Sequence, residues 1–141
     1  MYVDTSVAVK LYAREPDSDA CELLVAGNSL VSSELLYGEL WSAFLAKERA
    51  NVLSKAAREA LWRNFEADLD DGKITLLPLN GIVVRDATDL MRAVHPDVPL
   101  RTLDALHLAT FASIEGGPLF TNDKRMIAAA QRLALSLVRA G

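Results

Sequence analysis

Four acids in this chain stand where a carboxylate needs an explanation. Asp4 ends the short apolar lead "MYV" and is followed at once by Thr5 and Ser6, and Asp123 closes "PLFTND" in the same way. Glu39 sits among apolar residues in "LLYGELW", and Asp104 is the only charge in "TLDALHLATFA". Each has a plain reading. Asp4 and Asp123 are favoured helix-capping types at the start of helical runs. An isolated Glu39 is more often a residue on a solvated face, although Gly38 before it, a residue costing ~1 kcal/mol in a helix interior, points to a close approach at that turn. Asp104 fits its plain reading least well. A helix dipole offers ~0.3–1 kcal/mol, too little to offset the several kcal/mol for burying an unpaired carboxylate. His107, one turn on, reads as a satisfied core histidine, with two alternatives, a partner of Asp104 or a group supporting the ligands from behind, and not as a metal ligand.

Convergence of the four would imply a particular chemistry. Two carboxylates about 4 Å apart repel by roughly 4 kcal/mol at an effective dielectric near 20, so such a cluster requires cations. All-oxygen sites suit Mg²⁺ or Mn²⁺, which commonly serve phosphate chemistry. Ions held there activate a water and stabilise the oxygens of an in-line displacement at phosphorus. The hydroxyls of Thr5, Ser6 and Thr121 are placed to orient the acids or their waters.

The elements that must position these residues can be read from periodicity and punctuation. "YVD", "SLVSS", "ITLLPL" and "PLFTND" are expected to be short strands, with a possible fifth at "LSLVRA". Helices are expected over "TSVAVKLYA", "ACELLVAG", Glu34 to about Arg49, "SKAAREALWRNFEADLDD", "GIVVRDATDLMRAV", "TLDALHLATFASIE" and "KRMIAAAQRLAL". Ser54 is the expected cap of the fourth, Asn51 and Gly72 are expected to break the chain on either side of it, and a turn at His95-Pro96 ends the fifth. The sixth is apolar nearly all round and should be buried on most sides. Strands alternating with helices predict an α/β fold: a three-layer α/β/α arrangement around a central, mainly parallel sheet of four to five short strands. Ligands in such sheets bind outside the carboxyl ends of the strands, where Asp4 and Asp123 fall.

With 141 residues the chain is expected to form one domain, 1–141, large enough for a substantial core. A net charge of −4 argues against a module that grips phosphates by bulk electrostatics, but leaves room for local basic pairs such as Lys10 with Arg14, Lys47 with Arg49 and Lys124 with Arg125. Cys21 is the only cysteine, so intramolecular disulfides and cysteine-cluster zinc sites are excluded. The absence of a membrane-spanning run and of a secretory pattern predicts a cytoplasmic protein.

Taken together, "YVDTSV", the helical "GEL" around Glu39, "TLDALHLA" and "FTNDKR" resemble the PIN-domain ribonucleases, most closely the VapC-type toxins of toxin–antitoxin pairs. The likeness runs from Tyr2 to Arg125 with the segments in order. It implies an acidic metal-binding and catalytic quartet of Asp4, Glu39, Asp104 and Asp123, with Ser6 and Thr121 at the family's small hydroxyl positions. It further implies Mg²⁺ or Mn²⁺ as cofactor, hydrolysis of RNA phosphodiester bonds, a homodimer, and a cognate antitoxin clasped by the helical hairpin from about Glu34 to Asp71. Lys10, Arg14, Lys124 and Arg125 are the candidates for RNA contact.

Three other readings compete. A non-cleaving PIN-like binding domain is disfavoured because all four acids are present. A haloacid-dehalogenase-like phosphatase would want an acid where Ser6 stands. A purely structural α/β module does not account for Glu39 and Asp104 in apolar helices.

Overall fold

The computed structural model describes residues 1–138; the last part of the expected strand "LSLVRA" lies outside the described residues. Along the chain run β1 (Tyr2–Val3), α1 (Thr5–Tyr12), α2 (Ser18–Val25), β2 (Leu30–Ser33), α3 (Leu35–Arg49) and α4 (Lys55–Asp70). They are followed by β3 (Ile74–Leu77), α5 (Gly81–Val94), α6 (Thr102–Ala112), β4 (Leu119–Phe120), α7 (Lys124–Arg132) and β5 (Leu137–Val138). The strands are shorter than the apolar runs that encode them, because each run also supplies the turn that leaves the sheet. Asp4 departs from β1 to cap α1, and Pro78, which lacks an N–H for the ladder, follows β3 directly.

The five strands form one sheet in the order β3-β2-β1-β4-β5, with every pairing parallel. Tyr2 stands opposite Val31 on one side and Leu119 on the other, which places β1 at the centre. Side chains alternate across the pleat, so neighbouring residues of β1 and β4 serve different faces. Val3 and Phe120 pack with Val7, Leu36, Leu40, Phe44 and Phe65 from α1, α3 and α4. Tyr2 and Leu119 pack with Val94, Leu108, Phe111 and Met126 from α5, α6 and α7. The three-layer expectation holds, and α6 is buried continuously from Ala105 to Phe111.

Local signals close the helices as read. Asn51 (φ 58°) and Gly72 (φ 70°) adopt left-handed conformations just after the ends of α3 and α4. The Ser54 hydroxyl accepts from Ala57 N at 3.0 Å, capping α4. Ser54→Ala is expected to cost about 1 kcal/mol, measurable as a shifted urea midpoint at unchanged m-value. The α3–α4 hairpin is held by edge-to-face contacts of Trp62 with Tyr37, Trp41 and Phe44. Among the described residues no helix is long and apolar enough to cross a membrane.

Candidate active site

The strand order puts a topological switch at the centre of the sheet. From β1 the chain moves outward through β2 and β3, then returns to the other side of β1 with β4. Connections on either side of such a point diverge and leave a crevice at the carboxyl ends of the strands. Asp4 follows β1 and Asp123 closely follows β4, so both stand at this crevice.

Asp4 is buried, with 3% of its surface exposed. Its Oδ1 accepts from Ser6 Oγ at 2.7 Å and from Val7 N at 3.2 Å, and its Oδ2 accepts from Thr121 Oγ1 at 2.7 Å. The capping role is therefore real. Burial pushes the Asp4 carboxyl above the usual range, and the hydrogen bonds from Thr121 and Ser6 oppose this. Thr121 Oγ1 also accepts from Asp123 N at 3.0 Å, while Ser6 Oγ accepts from Asn122 N at 2.9 Å. These two hydroxyls join segments more than a hundred residues apart and fix the distance between the first and last acids. Asp123 caps α7 through Oδ1, which accepts from Arg125 N at 2.8 Å and Met126 N at 3.0 Å.

Glu39 comes from α3. Its Oε1 accepts from Thr5 Oγ1 at 2.7 Å and lies 2.6 Å from His107 Nε2. His107 thus meets Glu39 on another helix instead of serving Asp104 on its own, the partner that spacing alone suggested. Gly38 explains nothing here: a Cβ at that position would meet no atom within 4 Å, so the close approach read from its cost is not found.

Asp104 opens α6 within the first turn. Its Oδ2 is buried without a hydrogen-bond partner, and so is Nε of Arg125, 3.7 Å away. Burial and then the charge of Asp123 push the Asp104 carboxyl up. Arg125, the nearest resident cation, does not close a hydrogen bond with it. The position of Arg125, two residues beyond Asp123 in the first turn of α7, was the available signal for this contact.

The four acids do not pack into a cage. Among the described residues no three acidic, histidine or cysteine side chains are arranged to hold an ion unaided. The reason is visible in the bonding: Asp4 has both oxygens engaged, and Glu39 and Asp123 have one each. The donor set nevertheless fits a hard cation. Asp104 Oδ2 lacks a partner, and Glu39 Oε2 and Asp123 Oδ2 accept no hydrogen bond among the described residues. Mg²⁺ usually takes one or two carboxylates and retains several waters, which a sparse arrangement of this kind accommodates.

The structure also sorts the basic residues. Lys10 pairs with Asp17 at 2.6 Å and Glu15 at 3.3 Å, Lys47 pairs with Glu15 at 2.8 Å, and Arg14 pairs with Asp19 and Glu22. The hydrogen bond from Lys47 is the first cause holding the Glu15 carboxyl below its usual range. Lys124 is exposed with no ion pair among the described residues. Together with Arg125 it borders a concavity beside Asn122 and Asp123.

Three comparisons bear on this arrangement. The PIN domain family model matches residues 1–132. Ribonuclease VapC46 of Mycobacterium tuberculosis is 38% identical over 141 residues, covering 98% of this chain and 95% of the relative. The crystal structure of VapC20 from the same organism, described as a Sarcin-Ricin loop cleaving toxin, superposes with a TM-score of 0.72 at 18% identity, covering 98% of both chains. That last likeness concerns the fold; the model match and the near-complete alignment decide the lineage, and the chain belongs to the PIN-domain family.

Proposed function

We propose that this chain, as one PIN domain, is a metal-dependent endoribonuclease and the toxin of a type II toxin–antitoxin pair. The observation that carries the reading is the pair of acids at the central switch point, with Asp104 beside them presenting a buried carboxylate oxygen that receives no hydrogen bond among the described residues. Asp4, Glu39, Asp104 and Asp123 are the acids we assign to Mg²⁺ or Mn²⁺. Asp104, Glu39 and Asp123 offer oxygens free of hydrogen bonds among the described residues, Asp4 Oδ2 accepts only one and keeps a lone pair, and Thr5, Ser6 and Thr121 hold the carboxylates in place. A divalent ion bound there supplies an activated water and neutralises charge on the phosphoryl oxygens. The residues themselves set where that water and the scissile phosphate sit. The resemblance of the whole chain to a ribonuclease VapC supports RNA as substrate.

Lys124 is the cation we assign first to the RNA backbone, since it is exposed without an ion pair among the described residues, whereas Lys10, Arg14 and Lys47 are occupied by carboxylates and Arg125 lies 3.7 Å from Asp104. Lys124→Ala is expected to weaken RNA binding and to lower the slope of log K against log salt by about one phosphate contact. Lys10→Ala should leave that slope unchanged. Filter binding between low and moderate salt distinguishes them, and an equal effect of both would reject the assignment.

The cognate antitoxin would dock on the α3–α4 hairpin, where Tyr37 and Val52 are exposed at 44% and 62%. A homodimer and a cytoplasmic location accompany the toxin reading. The deciding experiment incubates antitoxin-free protein with total cellular RNA in Mn²⁺ or in EDTA. Discrete fragments that vanish in EDTA are expected. Folded protein that yields none with any divalent metal, on total RNA or isolated ribosomes, would argue for a binding domain without turnover.

A further inference from the structure

One polar chain in the protein interior has no part in the site chemistry so far. Tyr2 and His107 are 1% and 2% exposed, on the central strand and on the buried helix α6. Tyr2 Oη lies 2.8 Å from His107 Nδ1, and His107 Nε2 lies 2.6 Å from Glu39 Oε1. Buried polar groups of this kind persist only when their hydrogen bonds are satisfied, and for a neutral imidazole, with one donor and one acceptor nitrogen, the bonding here has one self-consistent direction. Burial pushes the Tyr2 phenol far above its usual range, so it stays a donor. An ionised Glu39 can only accept. The neutral imidazole therefore carries its proton on Nε2, donates it to Glu39, and accepts from Tyr2 at Nδ1.

The consequence falls on Glu39. Its Oε1 receives two donors, His107 Nε2–H and the Thr5 hydroxyl at 2.7 Å, while Oε2 receives none among the described residues. The carboxylate is thereby pinned by one oxygen with the other left free. We propose that His107, with its tautomer set by Tyr2, is a positioning residue that orients the free oxygen of Glu39 for a divalent cation. This rests on the metal-dependent reading above. Partners that orient a ligand from behind typically contribute 10–100-fold in metal affinity or activity.

The phenol hydroxyl can be deleted without emptying the core, since Tyr2→Phe keeps the ring and its edge contact with Phe111 at 5.7 Å. His107→Gln retains an N–H donor near the Nε2 position, whereas His107→Leu removes it. Mn²⁺ affinity would be titrated calorimetrically for wild type, Tyr2→Phe, His107→Leu, His107→Gln, Glu39→Gln and the Tyr2→Phe/His107→Leu double variant. His107 tautomers would be read from long-range ¹H–¹⁵N NMR of wild type and Tyr2→Phe, with melting curves as the control for folding.

His107→Leu should weaken Mn²⁺ binding by about 10–100-fold, and His107→Gln should restore most of it. Tyr2→Phe should have a smaller effect that disappears in the His107→Leu background, and its His107 spectrum should shift from one Nε2–H tautomer to a mixture. Wild-type affinity in folded His107→Leu, or a Tyr2→Phe effect undiminished in that background, would overturn the positioning role alone. No Mn²⁺ binding by wild type, or wild-type binding by Glu39→Gln, would overturn this inference together with the assignment of Glu39 to the metal.

Discussion

Asp104→Asn is expected to abolish RNA cleavage, by on the order of a thousandfold or more, in a protein that folds as wild type does. A cation that polarises a phosphoryl oxygen contributes several kcal/mol in the transition state, and each 1.36 kcal/mol is tenfold in rate. The substitution keeps the shape of the side chain and removes the charge, so packing changes little. It should also raise the melting temperature of the metal-free protein at neutral pH. The folded pKa of Asp104 is raised, by burial first and by Asp123 second. A carboxyl raised in this way contributes its stability below the unfolded value of about 3.9 and loses it as pH rises through the folded value. At pH 7 wild type therefore carries the full cost of the ionised form, which the asparagine avoids. The stability difference should narrow as pH falls through the raised pKa. Melting curves from pH 4 to 8 in EDTA, beside cleavage assays in Mn²⁺, check both halves. Near-wild-type cleavage by purified Asp104→Asn would remove Asp104 from the site.

Addition of Mn²⁺ or Mg²⁺ should stabilise wild type by about 2.7 kcal/mol at a hundred times the dissociation constant. For a chain of this size that corresponds to roughly 10 °C in melting temperature. Two terms act together: the cation relieves the repulsion between Asp104 and Asp123, and it gives Asp104 Oδ2 the partner it lacks. In Asp104→Asn the same addition should produce at most a small part of the shift. The pairing of a stabilised metal-free variant with a lost metal response separates a metal site from a merely strained acid. A metal shift equal in both proteins would place the ion elsewhere.

How far the site could be read in advance depended on which residues speak through local chemistry. Asp4, Asp123 and Ser54 act as caps because a cap is a bond between near neighbours, and the side-chain type announces it. The unusual burden on Asp104 was legible for a related reason, since one acid in an otherwise apolar helix implies a partner, although His107 on the same helix turns to Glu39 instead. Gly38 misled because a glycine's cost in a helix indicates a need without locating it, and the space around it is open. Among the described residues no three of these acids are arranged to hold an ion unaided, and neighbouring hydroxyls and backbone donors take up oxygens of Asp4, Glu39 and Asp123.

The sequence by itself determined the alternation of strands and helices, their capped and broken ends, the burial of α6 and the set of candidate acids. These depend on periodicity and on contacts within a few residues, which the order of side chains encodes directly. Tertiary structure decided the rest. Only the return of β4 to the far side of β1 creates the crevice where Asp4 and Asp123 meet, since a helical crossover of given length can place the next strand on either side. Only packing directed His107 to Glu39 instead of Asp104 and matched Lys10, Arg14 and Lys47 with carboxylates. Such partners lie close in space but apart along the chain. Their pairing is selected by the shape of the assembled layers, which no local pattern specifies.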